Sequence, residues 1–158
     1  MYISYYKSPV GELIVKTDDD ALLYLGFGGD ENTRLCGATL FSKEGKGPIV
    51  DKLFAHLDEY FAGSRREFDV PIKMFGTTFQ MAVWAGLLQI PYGKTVSYGQ
   101  LAAMIGKPKS ARAVGGANHV NPISIIVPCH RVIGADGSLT GYGGGLEMKE
   151  YLLKLEMS

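Results

Sequence analysis

With 158 residues, 46% of them apolar, and 16 basic against 16 acidic side chains, the chain has room for a sizeable core in one domain or in two small ones. No stretch approaches the roughly 20 apolar residues of a membrane helix. Two cysteines and three histidines without a Cys-x-x-Cys exclude any zinc spacing. The N-terminal residues carry no secretory leader, so a cytoplasmic protein with free thiols is expected.

Residues 2–8 and 12–17 read as strands joined by Ser8-Pro9-Val10-Gly11. A turn at Asp18-Asp19-Asp20 leads into a third strand over 21–27, which completes an antiparallel meander. Gly26-Phe27-Gly28-Gly29 precedes acids rather than a helix signal, so it reads as a turn and not as a phosphate loop. Residues 30–47 read as polar and loop-containing. Pro48 opens an amphipathic helix with Ile49, Leu53, Leu57, Tyr60 and Phe61 on one face, and Gly63 ends it. Residues 65–72 look like one more strand. Residues 1–75 thus form a small α+β unit.

The pattern changes near Phe75-Gly76, where a second unit, 76–158, begins. Thr77 or Thr78 caps a helix with Phe79, Val83, Trp84 and Leu87 on one face, and Pro91-Tyr92-Gly93 breaks it. Ser97 caps a short helix over 98–105, Gly106-Lys107-Pro108 turns, and Ser110 caps a third helix over 111–118. Two short helices across a glycine turn form a helix-turn-helix pattern. The last of them carries Gly115-Gly116, which costs roughly 1–2 kcal/mol against alanine. The helix packs tightly on its own domain, or another backbone, protein or DNA, comes very close to it, or both. Residues 123–127 read as a buried strand that Pro128 stops, and 132–134 as another strand. Asp136-Gly137 is a turn, and Gly141-Tyr142-Gly143-Gly144-Gly145 reads as a mobile loop. A final helix over 146–156 places Met148, Leu152 and Leu155 on its buried face, with an outward i,i+4 pair of Glu150 and Lys154.

Charge is unevenly spread. Residues 70–135 carry Lys73, Lys94, Lys107, Lys109, Arg112 and Arg131 and no acid. Such a block suits a polyanion.

Cys129 follows an apolar run and adjoins His130. A bare cysteine here is either a small buried hydrophobe or a nucleophile with an activating base. Adjacent side chains on a turn rarely touch, so a bridging water would link the two. Glu156 lies near the apolar side of the last helix. It is either a partner for a buried imidazole or a solvated carboxylate near a frayed end.

Taken together, the motifs resemble those of the O6-alkylguanine-DNA alkyltransferases, also called methylated-DNA–protein-cysteine methyltransferases. Pro128-Cys129-His130-Arg131-Val132 matches the family's active-site signature. Phe79-Gln80 with Val83-Trp84, Ser97-Tyr98-Gly99-Gln100-Leu101-Ala102 and Ala111-Arg112-Ala113-Val114-Gly115-Gly116-Ala117 match the three helices of its DNA-binding half. Asn121-Pro122 matches its asparagine hinge, and Gly144-Gly145-Leu146, Lys149 and Glu156 match its last helix. The resemblance is dense over 76–156 and weak over 1–75.

It implies an α+β protein: a ribonuclease-H-like N-terminal sheet and helix, then a winged helix-turn-helix alkyltransferase domain. Cys129 would accept the alkyl group from O6-alkylguanine, and also from O4-alkylthymine, once and irreversibly. His130 would be its base through a water, Glu156 would hold His130, and Asn121 would brace the turn. Tyr98 would press on the phosphate 3′ to the lesion and protonate guanine N3. Arg112 would fill the gap left by the flipped nucleotide. Gly99, Lys107, Lys109 and Ala113 would complete the contact with duplex DNA from the minor groove. Val132, Tyr142, Gly143, Gly144 and Ser124 would line the pocket, with the Cys129 and Val132 carbonyls reading the guanine amino group. The family implies no cofactor and a monomer, and the residues offer no metal cluster. Ser124 stands where several relatives carry proline and Gly143 where some carry serine, which leaves the range of alkyl groups open. Two other readings stand beside this one: a non-enzymatic lesion-binding helix-turn-helix protein, and a Cys-His hydrolase that turns over.

Overall fold

The computed structural model describes residues 2–27, 43–44, 47–139, 142 and 145–158. Within it the chain forms two compact units, Met1–Met74 and Phe75–Ser158. Each is α+β in character. The expectations for Gly28-Gly29, for most of the 30–47 loop, for Cys36 and for Gly141, Gly143 and Gly144 fall outside the described residues.

In the first unit, β1 (Tyr2–Ser8), β2 (Gly11–Thr17) and β3 (Leu22–Phe27) form the antiparallel meander. Ser8 closes the first turn by accepting from the Val10 N–H and donating to the Gly11 carbonyl. A short β4 (Lys43–Glu44) adds to the free edge of β1 in parallel, giving the order β3-β2-β1-β4. Helix α1 (Pro48–Phe61) buries Val50, Leu53, His56, Leu57 and Tyr60. Fully burying a leucine contributes about 2 kcal/mol, so this face holds the helix in place. Gly63, at φ 80°, ends it, with Gly63 N–H donating to Tyr60 and Ser64 N–H to Glu59.

Residues 65–72 are not a strand of the sheet. They run extended and touch it through one parallel bridge, Leu22 to Ile72. Pro71 has no N–H to give a ladder, but its carbonyl accepts from Leu22. The Asp69 N–H meets His56 Nδ1 instead.

Near the start of the second unit stands Gly76, where a Cβ would lie 2.6 Å from the Trp84 ring, so only glycine permits this approach. Helix α2 (Thr78–Leu87) starts at a full capping box between Thr77 and Gln80. Helix α3 (Tyr98–Met104) starts at a second, between Ser97 and Gln100. It ends at Gly106, φ 76°, and α4 (Ala111–His119) follows. The Trp84 indole N–H donates to the Ala117 carbonyl at 3.0 Å, which ties α2 to α4 in the core. Ser110 stands at the start of α4 but makes no side-chain cap.

Residues 123–127 are buried, with Ile126 half-buried, but they form tight turns rather than a strand. Ile126 N–H bonds Ser124, Val127 N–H bonds Ile123, and Ile125 takes φ 71°. The apolar run predicted burial correctly; the side chain of Asn121 decides its shape, as described below. Two-residue strands β5 (Val96–Ser97) and β6 (Val132–Ile133) pair in parallel. Helix α5 (Leu146–Met157) closes the unit with the Glu150–Lys154 pair outside at 2.9 Å. Its buried face is Lys149, Leu152, Leu153 and Glu156; of the expected Met148, Leu152 and Leu155, only Leu152 is buried. The helix is turned so that two charged side chains point inward. Among the described residues no helix is long and apolar enough to cross a membrane.

Candidate active site

Cys129 opens a single 3₁₀ turn, Cys129–Arg131, directly after the Asn121–Pro128 segment. It is 3% exposed. Asn121 builds the seat for this turn. Its amide donates to the Val127 carbonyl at 2.8 Å and the Ile123 carbonyl at 3.3 Å, and its oxygen accepts from the Ile123 N–H at 3.0 Å. One side chain thus folds the apolar run back on itself. Asn118, on α4, donates to the Cys129 carbonyl at 3.3 Å. Neither Asn118 nor the role of Arg131 stood out in the sequence. Asn118 follows Val114 and Ala117 at helical spacing on a buried face, and an asparagine there was a legible sign of a polar task.

His130 is fully buried, and its Nε2 lies 2.7 Å from Glu156 Oε2. An ionised carboxylate only accepts, so Nε2 carries the hydrogen and Nδ1 is the ring's lone pair. Nδ1 is buried with no hydrogen-bond partner among the described residues. Glu156 is buried at 5% exposure, which settles its two sequence readings in favour of an interior partner. Arg131 Nε donates to its Oε1 at 2.7 Å and Arg131 Nη2 to its Oε2 at 3.1 Å, while Nη1 donates to the Ile90 carbonyl at 2.7 Å. The Gly93 N–H adds a longer bond at 3.4 Å. Arg131 is therefore an internal ligand of Glu156 and not part of a basic surface.

Burial holds His130 below its ordinary pKa, against the pull of Glu156. Burial pushes the Cys129 thiol up to about 11, while Asn121, the Lys149 charge and Ser124 draw it back. The resting pair is a neutral thiol and a neutral imidazole. No hydrogen bond joins them directly.

Of the other predicted residues, Val132, Ser124 and Tyr142 are buried. Lys149 donates to the Val132 carbonyl, and the Cys129 carbonyl accepts from Asn118 and from the Val132 N–H. Tyr98 is half-buried at the first position of α3. Gly99, Lys107, Lys109, Arg112 and Ala113 are exposed. Gly143 and Gly144 lie outside the described residues. Lys73 belongs to the first unit and pairs with Asp18 at 3.1 Å, so Lys94, Lys107, Lys109 and Arg112 remain as the exposed cations of the acid-free block. A Cβ on Gly116 would meet nothing within 4 Å, and one on Gly115 would sit 3.7 Å from the Tyr98 ring, an ordinary contact. Tight internal packing does not require these two glycines. Among the described residues no three His, Cys, Asp or Glu side chains group as a metal site.

A half-buried tyrosine at a helix start, a helix-turn-helix with exposed cations and a buried Cys-His-Glu set suit a DNA-binding module that carries a thiol beside an oriented imidazole. Comparison with known proteins agrees. Residues 1–74 match the model of the 6-O-methylguanine DNA methyltransferase ribonuclease-like domain, and residues 78–158 that of the 6-O-methylguanine DNA methyltransferase DNA binding domain. The methylated-DNA–protein-cysteine methyltransferase of Methanosarcina acetivorans is 46% identical over 100% of this chain and 99% of its own. That of Haemophilus influenzae is 43% identical over 99% and 86%. The crystal structure of Mycobacterium tuberculosis OGT in complex with DNA superposes with a TM-score of 0.92 at 45% identity, over 99% of this chain and 93% of that one. The chain belongs to the methylated-DNA–protein-cysteine methyltransferase family.

Proposed function

We propose that this protein repairs DNA by direct reversal, moving the alkyl group of O6-alkylguanine, and of O4-alkylthymine, onto its own Cys129. The observation that carries the reading is the orientation of His130. Its Nε2–H is spent on Glu156 and its Nδ1 lone pair is left in the interior, one residue from a buried thiol. That is the arrangement a proton acceptor needs.

Chemistry on a base requires that the base leave the stack. The exposed face of α4, with Arg112, Ala113 and the open Gly116, suits close approach to the minor groove, and Arg112 fills the space the nucleotide vacates. Lys107, Lys109 and the backbone near Gly99 bind phosphates without reading sequence. The thiol proton passes through a water to His130 Nδ1. The thiolate attacks the alkyl carbon, the C–O6 bond breaks, and its electron pair leaves with guanine. Tyr98 gives guanine N3 a proton, and the proton held on His130 balances that loss. Val132, Tyr142, Gly143, Gly144 and Ser124 line the pocket. A thioether offers water no ready leaving group, so each chain acts once, as a monomer and without a cofactor, in the cytoplasm.

The test is the intact mass after incubation with a duplex containing O6-methylguanine. One methyl per chain, a gain of ~14 Da located on Cys129, is expected. Many lesions cleared per chain, or tight binding with no mass gain, defeats the reading. Cys129→Ala should keep lesion binding and lose transfer.

A further inference from the structure

Lys149 has no part in the scheme above, yet its side chain is fully buried. A lysine in a protein interior is costly and is retained where its charge is used. It sits on the inward face of α5, two turns before Glu156. Its ammonium donates to the Val132 carbonyl, three residues beyond Cys129, and lies 6.0 Å from the centre of the Tyr98 ring. It therefore reaches the far side of the cysteine turn and the tyrosine of α3 together.

The charges around the thiol have distinct stations. Arg131 and the His130 N–H are committed to Glu156. Asn121 and Ser124 favour the thiolate too, but as neutral side chains. Among the described residues Glu156 is the buried carboxylate of this unit, since Asp136, Glu147 and Glu150 are exposed. When the thiol gives up its proton, the new anion forms in a place shut off from water, where a nearby cation counts for much more than at the surface.

We propose that Lys149 is the positioning and charge-compensating residue of the alkyl acceptor, its buried ammonium stabilising the Cys129 thiolate while its bond to the Val132 carbonyl fixes the turn that carries the sulfur. The coupling runs both ways. The Lys149 charge lowers the thiol pKa, and the thiolate raises that of Lys149, which burial nonetheless takes down to about 8. This inference rests on Cys129 being the acceptor, but not on any property of the DNA.

The test uses the full chain and iodoacetamide, with peptide mass mapping to follow alkylation of Cys129 between pH 6 and 10. Lys149→Met removes charge and donor; Lys149→Gln removes the charge and keeps a donor for Val132. Both should lower the rate of Cys129 alkylation about tenfold at pH 7.5 and throughout the profile below the thiol pKa, the change expected when that pKa rises by ~1 unit. Profiles that superimpose on that of the unaltered protein overturn the proposal. A Lys149→Gln profile that matches it while Lys149→Met is shifted reduces Lys149 to a clamp and overturns the charge role. Should neither variant fold, the Lys149 ammonium is titrated by NMR in lysine-labelled protein, with and without Cys129→Ala. Loss of the thiol should lower its pKa, and an unchanged value overturns the proposal. A protein that shows the shift yet takes no methyl from DNA sinks the repair reading and leaves this one standing.

Discussion

His130 Nε2 and Glu156 Oε2 lie 2.7 Å apart although 26 positions separate them in the chain. The same carboxylate receives two nitrogens of Arg131. Glu156 thus orients the imidazole and neutralises a buried guanidinium at once. Glu156→Gln keeps the shape and removes the charge. Transfer should slow by roughly 10²-fold or more, the range for losing a positioned base. Stability should fall by about 3 kcal/mol, because Arg131 is left buried without compensation. Single-turnover rates and urea unfolding measure the two effects separately. An unaltered rate in the folded variant rules out the orienting role.

Asn121 closes three hydrogen bonds around residues 121–127. Asn121→Ala takes one of two donors from each of the Ile123 and Val127 carbonyls and strands the Ile123 N–H, and should cost about 2 kcal/mol. It should also slow transfer, because the turn presenting Cys129 loses its shape. Thermal unfolding and the single-turnover rate are the checks. A loss of stability with full activity means that Asn121 braces the fold but not the thiol.

Acid should loosen both units. Burial holds His56 and His130 below the ordinary 6.5. Their folded pKa values lie under their unfolded ones, so between the two the unfolded chain binds more protons. The stability they contribute is complete above about pH 6.5 and declines as pH falls through and below it. The melting temperature should drop between pH 7.5 and 5.5, and less steeply in His56→Gln. A flat profile over that window contradicts the argument. Transfer should fall on the acid side as well, since a protonated His130 accepts nothing.

Arg112 is exposed and makes no side-chain hydrogen bond or ion pair among the described residues. Arg112→Ala should leave the stability within about 0.5 kcal/mol of the original, read by urea unfolding. Repair of a lesion in duplex DNA should weaken several-fold more than repair of the same lesion in a single strand, where no partner base needs replacing. Equal losses on the two substrates remove Arg112 from the flipped-out gap.

Much of the framework follows from local chemistry. The meander, the helix after Pro48 and the capping boxes at Thr77 and Ser97 depend on neighbours in sequence, and each formed where its signals stood. The misreadings share one cause. Residues 65–72 looked like a strand, and 123–127 looked like another, because an apolar or β-branched run fits a strand equally well as a buried turn. Pro71 and Asn121 then decided against the ladder. Met148 and Leu155 looked like the buried face of α5, because charged residues default to solvent. Lys149 and Glu156 reversed that, since a buried charge is tolerated where partners from distant segments meet it.

Around Cys129, then, the sequence alone determined the residue types, their order and the family they resemble: a thiol beside an imidazole, an asparagine eight positions upstream and a carboxylate in the last helix. It could not determine which nitrogen of His130 is spoken for, that Arg131 turns inward, or that Lys149 reaches the turn at all. Those facts depend on α5 meeting the cysteine turn. Hydrogen bonds and buried charge pairs act over about 3 Å in space, whatever the separation along the chain.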